Sequence, residues 1–171
     1  MAERQRNSKS SRRFEAESLF LRADKMRDRG DLRSAFRLFL AAAKAGECGA
    51  QVNVGYCYDT GSGTRRDRAA ALYWYKRAYR RGDASAANNI GTIWRDAQKP
   101  RRALSWFRRA VKLGDDSNLE IAKHYLRQER APRKAIPYLK RVCHSDRVTE
   151  ASAEEAKALL KKVITGQIRH I

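Results

Sequence analysis

One apolar signature returns along the chain at a fixed period, and it restricts the possible folds more than any other property. Ala71, Trp74, Tyr75 and Ala78 recur as Ala103, Trp106, Phe107 and Ala110, then as Ala135, Tyr138, Leu139 and Val142, each set 32 residues after the last. A fainter copy, Ala35, Leu38, Phe39 and Ala42, stands 36 residues upstream of the first. The i, i+3, i+4, i+7 spacing puts each quartet on one stripe of a helix. A unit this short cannot bury its stripe alone, so neighbouring units must stack. Ahead of each quartet a tiny residue is followed three positions later by a bulky one: Ala23 with Met26, Gly55 with Tyr58, Gly91 with Trp94, Ala122 with Tyr125. These pairs mark a first helix, and the quartets a second.

The small residues let a neighbouring helix approach closely while aromatic rings fill the space beside them. Punctuation agrees with the helix pairs. Gly46, Gly82 and Gly114 each follow a quartet by four residues, where a left-handed C-terminal cap belongs. Asp67, Asp83 and Asp115 are candidate N-caps. The pattern predicts helices over 14–29, 32–45, 49–60, 67–81, 84–96, 100–113, 116–128, 133–144 and 150–165, with no alternating strand pattern. In the last of these, Ser152 and Glu155 stand at capping-box spacing, and Ala156, Leu159, Leu160 and Val163 share one side. Pro137 lies inside the last quartet and predicts a late start or a kink there. The expected architecture is all-α: about four antiparallel helix pairs over 14–146, a basic disordered tail over 1–13, and a C-terminal capping helix within 147–171.

Residues 50–86 carry Ala50, Gly55, Tyr58, Gly61, Gly63, Asp67, Ala71, Trp74, Tyr75, Ala78, Gly82 and Ala86. This segment resembles a Sel-one-like repeat (SLR), a relative of the tetratricopeptide repeat. Val54 and Thr64 depart mildly from the family pattern, and the other pairs lack the Gly-x-Gly loop, so their lengths look more like ordinary tetratricopeptide repeats. The resemblance implies a right-handed solenoid whose first helices line a concave surface, acting as a non-enzymatic adaptor for proteins or peptides. On that geometry the groove carries Phe20, Asp24, Arg27, Asp28, Val52, Tyr56, Asp59, Thr60, Asn88, Thr92, Arg95, Asp96, Leu119, Lys123, Leu126 and Arg127. Four acids offset four bases there, with apolar anchors between them. The competing reading for Val52, Leu119 and Leu126 is packing against the neighbouring repeat.

Charge raises a second possibility. Lys and Arg number 38 against 19 Asp and Glu, a formal net charge of +19. Repeat register stacks Lys76, Arg108 and Lys140, then Arg77, Arg109 and Arg141, with Arg80 and Lys112 continuing the ladder on the outward faces of the second helices. Such a ladder could track the phosphates of RNA, DNA or another polyanion, with binding that falls steeply with salt. The opposing reading is an ordinary solvated helix face, and no nucleic-acid motif accompanies it.

No enzyme site is legible. His124, His144 and His170 form no metal-ligand spacing, and Cys48, Cys57 and Cys143 form no CxxC pair. Gly61-Ser62-Gly63-Thr64 lacks both the GK[ST] ending and the preceding strand of a phosphate loop. No catalytic residue, metal or cofactor is expected. The absence of an apolar run long enough for a membrane span, and of an apolar h-region in the first residues, leads to the expectation of a cytoplasmic protein without membrane insertion. The uncharged Leu40, Ala41 and Ala45, where later repeats have bases, leave dimerisation through the first pair open.

Overall fold

The computed structural model describes the backbone of residues 2–168, with the side chains of residue 11 and of residues 13–168. Among the described residues the fold is all-α, with nine helices and no strand. They are α1 (Ala2–Asp28), α2 (Leu32–Lys44), α3 (Cys48–Thr60), α4 (Arg68–Tyr79), α5 (Ala84–Asp96), α6 (Pro100–Lys112), α7 (Asn118–Arg127), α8 (Pro132–Cys143) and α9 (Glu150–Ile164). None is long and apolar enough to cross a membrane. The chain forms two compact units, Met1–Ala86 and Ala87–Ile171. In the first, α1 packs on α2, α2 on α3 and α3 on α4; in the second, α6 packs on α7, α7 on α8 and α8 on α9.

The helix ends follow from local chemistry. Asp67 Oδ1 accepts from the backbone N–H groups of Ala69 and Ala70 at 2.9 and 3.0 Å, and Asp83 Oδ1 from that of Ala86 at 2.8 Å. Each carboxylate satisfies donors that the first turn leaves unpaired. At the other ends Gly46, Gly82 and Gly114 adopt φ of +100°, +90° and +93°. The N–H of the following residue then bonds five positions back, Glu47 to Ala42, Asp83 to Ala78 and Asp115 to Ala110, which closes a Schellman turn.

Four local expectations are corrected. The stretch expected as a disordered tail over 1–13 is helical backbone from Ala2 onward, with no Gly or Pro before Gly30 to interrupt it. Asp115 does not cap α7; it accepts from the Ser117 hydroxyl, and α7 starts after Ser117. Thr149, not Ser152, caps α9: its Oγ1 accepts from the Ser152 N–H at 3.2 Å, so Ser152 is the third helical residue. Finally, α8 does not start late, since Pro132 at its first position is pre-organised for a helix start. Pro137 is exposed on that helix and lies one turn further in.

Each unit has its own core. In the first, Ala23, Ala35, Phe39, Ala42, Ala50, Val54 and Trp74 form one buried cluster, onto which Phe20 and Tyr58 pack. In the second, Phe107, Ile121, Ala122, Tyr125, Leu139 and Val142 form another that extends to Ala156 and Ile168, with Leu159, Leu160 and Val163 of α9 packed against it. The quartet residues are thus core apart from the half-buried Leu38, Trp106 and Tyr138, each large buried one contributing about 1.5–3 kcal/mol by leaving water.

The turn from first to second helix carries strain in two places. Gly30, Gln98 and Arg130 stand at corresponding points of their repeats, with φ of +82°, +57° and +49°. Only glycine occupies that conformation without a steric penalty. Gln98→Gly is therefore expected to raise stability by about 0.5–1 kcal/mol, the relief of strain exceeding the added freedom of the unfolded chain. Urea denaturation checks it. An unchanged or lower midpoint would mean that the Gln98 side chain contributes more than its backbone costs.

Candidate interaction surface

Within each unit a second helix meets the next first helix at a seam, α2 with α3 and α6 with α7, and there the seam opens into a cavity. In the first unit a cavity of about 240 Å³ is lined by Arg27 of α1, Leu32, Ala35 and Phe39 of α2, Asn53, Tyr56 and Cys57 of α3, and Ser62 of the loop that follows. In the second a cavity of about 220 Å³ is lined by Arg95 of α5, Pro100, Ala103, Leu104 and Phe107 of α6, and Glu120, Lys123, His124, Arg127 and Gln128 of α7. The correspondence is residue by residue. Arg27, Leu32, Ala35 and Phe39 lie 68 positions before Arg95, Pro100, Ala103 and Phe107, while Asn53, Tyr56 and Cys57 lie 67 before Glu120, Lys123 and His124. Alanine at the head of the quartet leaves the room, and the buried phenylalanine one turn later forms the floor.

The rims differ in charge. In the first unit Arg27 is held by Asp24 at 2.8 Å and Asp28 at 3.6 Å, and the remaining polar groups are uncharged. Tyr56 there is 55% exposed, and burial pushes the Cys57 thiol above its ordinary pKa, so it stays protonated. In the second unit Arg95 Nη1 lies 2.7 Å from Glu120 Oε2, and Lys123 Nζ lies 3.7 Å from Glu120 Oε1 and 2.8 Å from Glu155 Oε2 of α9. Arg127 is exposed with no ion-pair partner among the described residues. His124 is buried, and desolvation holds its pKa below the ordinary value although Glu129 Oε1 stands 3.5 Å away.

Five of the residues expected in a groove line these cavities: Arg27, Tyr56, Arg95, Lys123 and Arg127. The others have different roles. Phe20 packs against Phe39 with ring centroids 5.8 Å apart, and Asp24 serves Arg27. Asp59 anchors the loop after α3: its carbonyl accepts from Arg66 Nε at 2.6 Å, and its carboxylate lies 4.0 Å from Arg66 and 3.8 Å from Arg68. Val52, Asn88 and Thr92 are half-buried and line neither cavity. Leu119 and Leu126, expected as groove anchors, are only 8% and 5% exposed and belong to the core of the second unit. The reason is that α7 packs against both α6 and α8, which covers its apolar side chains.

Sequence reasoning placed the surface on first helices alone and so missed the contribution of Leu32, Ala35, Pro100, Ala103 and Leu104. The signal was the alanine opening each quartet, a small side chain where a filled seam would need a large one.

The basic ladder also takes a form that spacing did not reveal. Lys76, Arg80, Arg108, Lys112 and Lys140 are exposed. Arg77, Arg109 and Arg141, however, lie over the ring three residues earlier, 5.2 Å from Trp74, 4.6 Å from Trp106 and 5.5 Å from Tyr138. Arg108 donates to the Tyr125 hydroxyl. These cations cover aromatic edges of their own repeats, so part of the ladder is packing. Among the described residues no cluster of acids, histidines and cysteines could hold a metal ion, and the three cysteines are free thiols.

Consecutive helices packed as recurring pairs, with a seam cavity at the same repeat positions, define a helical-repeat protein. The model of the Sel1 repeat matches residues 24–47, 49–83 and 85–115, and the chain belongs to the Sel1 repeat family, whose members generally serve as protein-interaction scaffolds and are typically not catalysts. The fold is similar to that of a Sel1 repeat protein from Oxalobacter formigenes, at 22% identity and TM-score 0.64, over 88% of this chain and 71% of that one. It is also similar to MamA, at 18% identity and TM-score 0.62, over 90% of this chain and 88% of that one. A third relative in fold is c5321, a protective antigen of uropathogenic Escherichia coli strains, at 17% identity and TM-score 0.58; the match covers 90% of this chain but about half (47%) of that one.

Proposed function

We propose that the chain is a non-catalytic scaffold that binds a segment of a partner protein along its first-helix faces, using the seam cavities as anchor points. The observation that carries this reading is the recurrence of one cavity at the same repeat positions in both units, with a buried phenylalanine floor and a polar rim. Apolar pockets ringed by polar groups are where interfaces concentrate their binding energy. No ladder residue lines either cavity, and three of the ladder's arginines already lie on aromatic rings.

Affinity capture from nuclease-treated native lysate tests the proposal with two variants. Tyr56→Ala with Arg127→Glu alters one exposed rim residue of each cavity, whereas Lys112→Glu with Lys140→Glu alters the ladder. Proteins held by the wild type are expected to fall by about fivefold or more with the cavity variant and to persist with the ladder variant. The reverse pattern, or capture that vanishes with nuclease, would overturn the scaffold reading and assign function to the ladder.

A further inference from the structure

The two cavities share their floors but not their rims, and that difference specifies chemistry. Ala35 and Phe39 become Ala103 and Phe107 without change of kind, whereas Asn53, Tyr56 and Cys57 become Glu120, Lys123 and His124. In the first unit the single rim cation, Arg27, is already neutralised by Asp24 and Asp28. In the second, Arg95 is likewise held by two acids, Glu120 at 2.7 Å and Asp96 at 3.3 Å, and Lys123 shares Glu120, so the cations differ only at Arg127. Glu155 takes one further contact from Lys123, and Arg127 is left with no ion-pair partner among the described residues.

On the scaffold reading above, we infer that the second-unit cavity receives an acidic side chain of the partner segment, with a neighbouring apolar side chain of the same segment on the Leu104–Phe107 floor. Arg127 supplies the uncommitted planar charge for the carboxylate, beside Arg95, whose Nε and Nη1 are engaged by Asp96 and Glu120. The apolar floor is what separates a peptide from a nucleic-acid strand here. Phe107 is buried, so it offers no ring face for a base to stack on, while the space above it suits an aliphatic side chain. The first-unit cavity, with its cation committed, takes an uncharged anchor.

The test is selection of a displayed library of random twelve-residue peptides on the full chain. A chain this basic attracts acids without any site, so three proteins are compared: wild type, Arg95→Gln with Arg127→Gln, and Lys112→Gln with Lys140→Gln, the last two matched in net charge and checked for native helicity. The expected result is enrichment of peptides with Asp or Glu beside an aliphatic residue on the wild type and the ladder variant. Synthetic copies of those peptides should bind the cavity variant about tenfold more weakly. Enriched peptides without an acid, or acid-bearing ones weakened equally by both variants, would overturn the inference while leaving the scaffold reading intact. No enrichment on any of the three would instead defeat the scaffold reading itself.

Discussion

Gly63→Ala is expected to destabilise the protein by more than about 3 kcal/mol, the largest effect of any single methyl group added to the chain. Two penalties coincide. Gly63 has φ of +71°, a region that costs an L-residue about 1–2 kcal/mol. In addition, a Cβ built there meets the Leu32 carbonyl oxygen at 2.0 Å and its carbon at 2.6 Å. That neighbour is backbone at the first residue of α2, so no rotamer change relieves the overlap; the loop or the helix start must move. Gly61 and Gly82 separate the two terms. Both have positive φ, at +82° and +90°, but a Cβ at Gly61 meets nothing closer than 3.6 Å and one at Gly82 nothing within 4 Å. Alanine at either should cost only about 1–2 kcal/mol. Thermal unfolding of the three variants checks the order, with a fall of roughly 6–12 °C for Gly63→Ala in a chain of this size. Equal losses at all three positions would show that conformation alone matters and that the loop yields to the carbonyl contact.

The same loop illustrates what the sequence made legible. Gly61 and Gly63 were readable as a turn because glycine pairs punctuate helices, and their positive φ values agree. Their closeness to Leu32 was not readable, because it depends on how the longer loop of this one repeat folds back onto α2. Helix pairs, quartets and glycine caps all rest on local periodicity, and they emerged nearly residue for residue. The start of α1 did not, since a polar, charge-rich stretch without Gly or Pro is compatible with helix or coil and composition alone favours coil. The surface was legible in part. Tyr56, Arg95, Lys123 and Arg127 follow from counting outward positions on first helices. Leu119 and Leu126 satisfy the same count but are buried, because the count knows one partner helix and α7 has two. The stacking of Arg77, Arg109 and Arg141 on Trp74, Trp106 and Tyr138 was latent in an i, i+3 spacing, which also fits a solvated basic face.

Gly91→Ala couples the fold to the proposed site. A Cβ at Gly91 falls 2.6 Å from Phe107 Cε1 and 2.7 Å from Cδ1, so the ring must shift although it is almost wholly buried. Alanine gains about 1 kcal/mol of helix propensity over glycine, and overpacking a core costs about 1–3 kcal/mol. The net is an expected loss of about 0–2 kcal/mol, small for such a contact because Phe107 borders the second-unit cavity and has space to move into. That escape has a consequence for binding: the ring enters the volume assigned to the partner's apolar side chain. Gly91→Ala should therefore weaken peptide binding more than its stability loss would suggest. Phe107→Leu provides the counter-variant. Alone it enlarges the cavity at a cost of about 1–1.5 kcal/mol, but in the double variant the smaller side chain admits the new methyl, and the two effects should combine to at least about 1 kcal/mol less than their sum. Urea midpoints for the four proteins of this cycle decide the matter. Losses that add within about 0.5 kcal/mol would mean that the methyl is accommodated by a shift of α5 rather than of the ring, and the cavity would then keep its shape and its ligand.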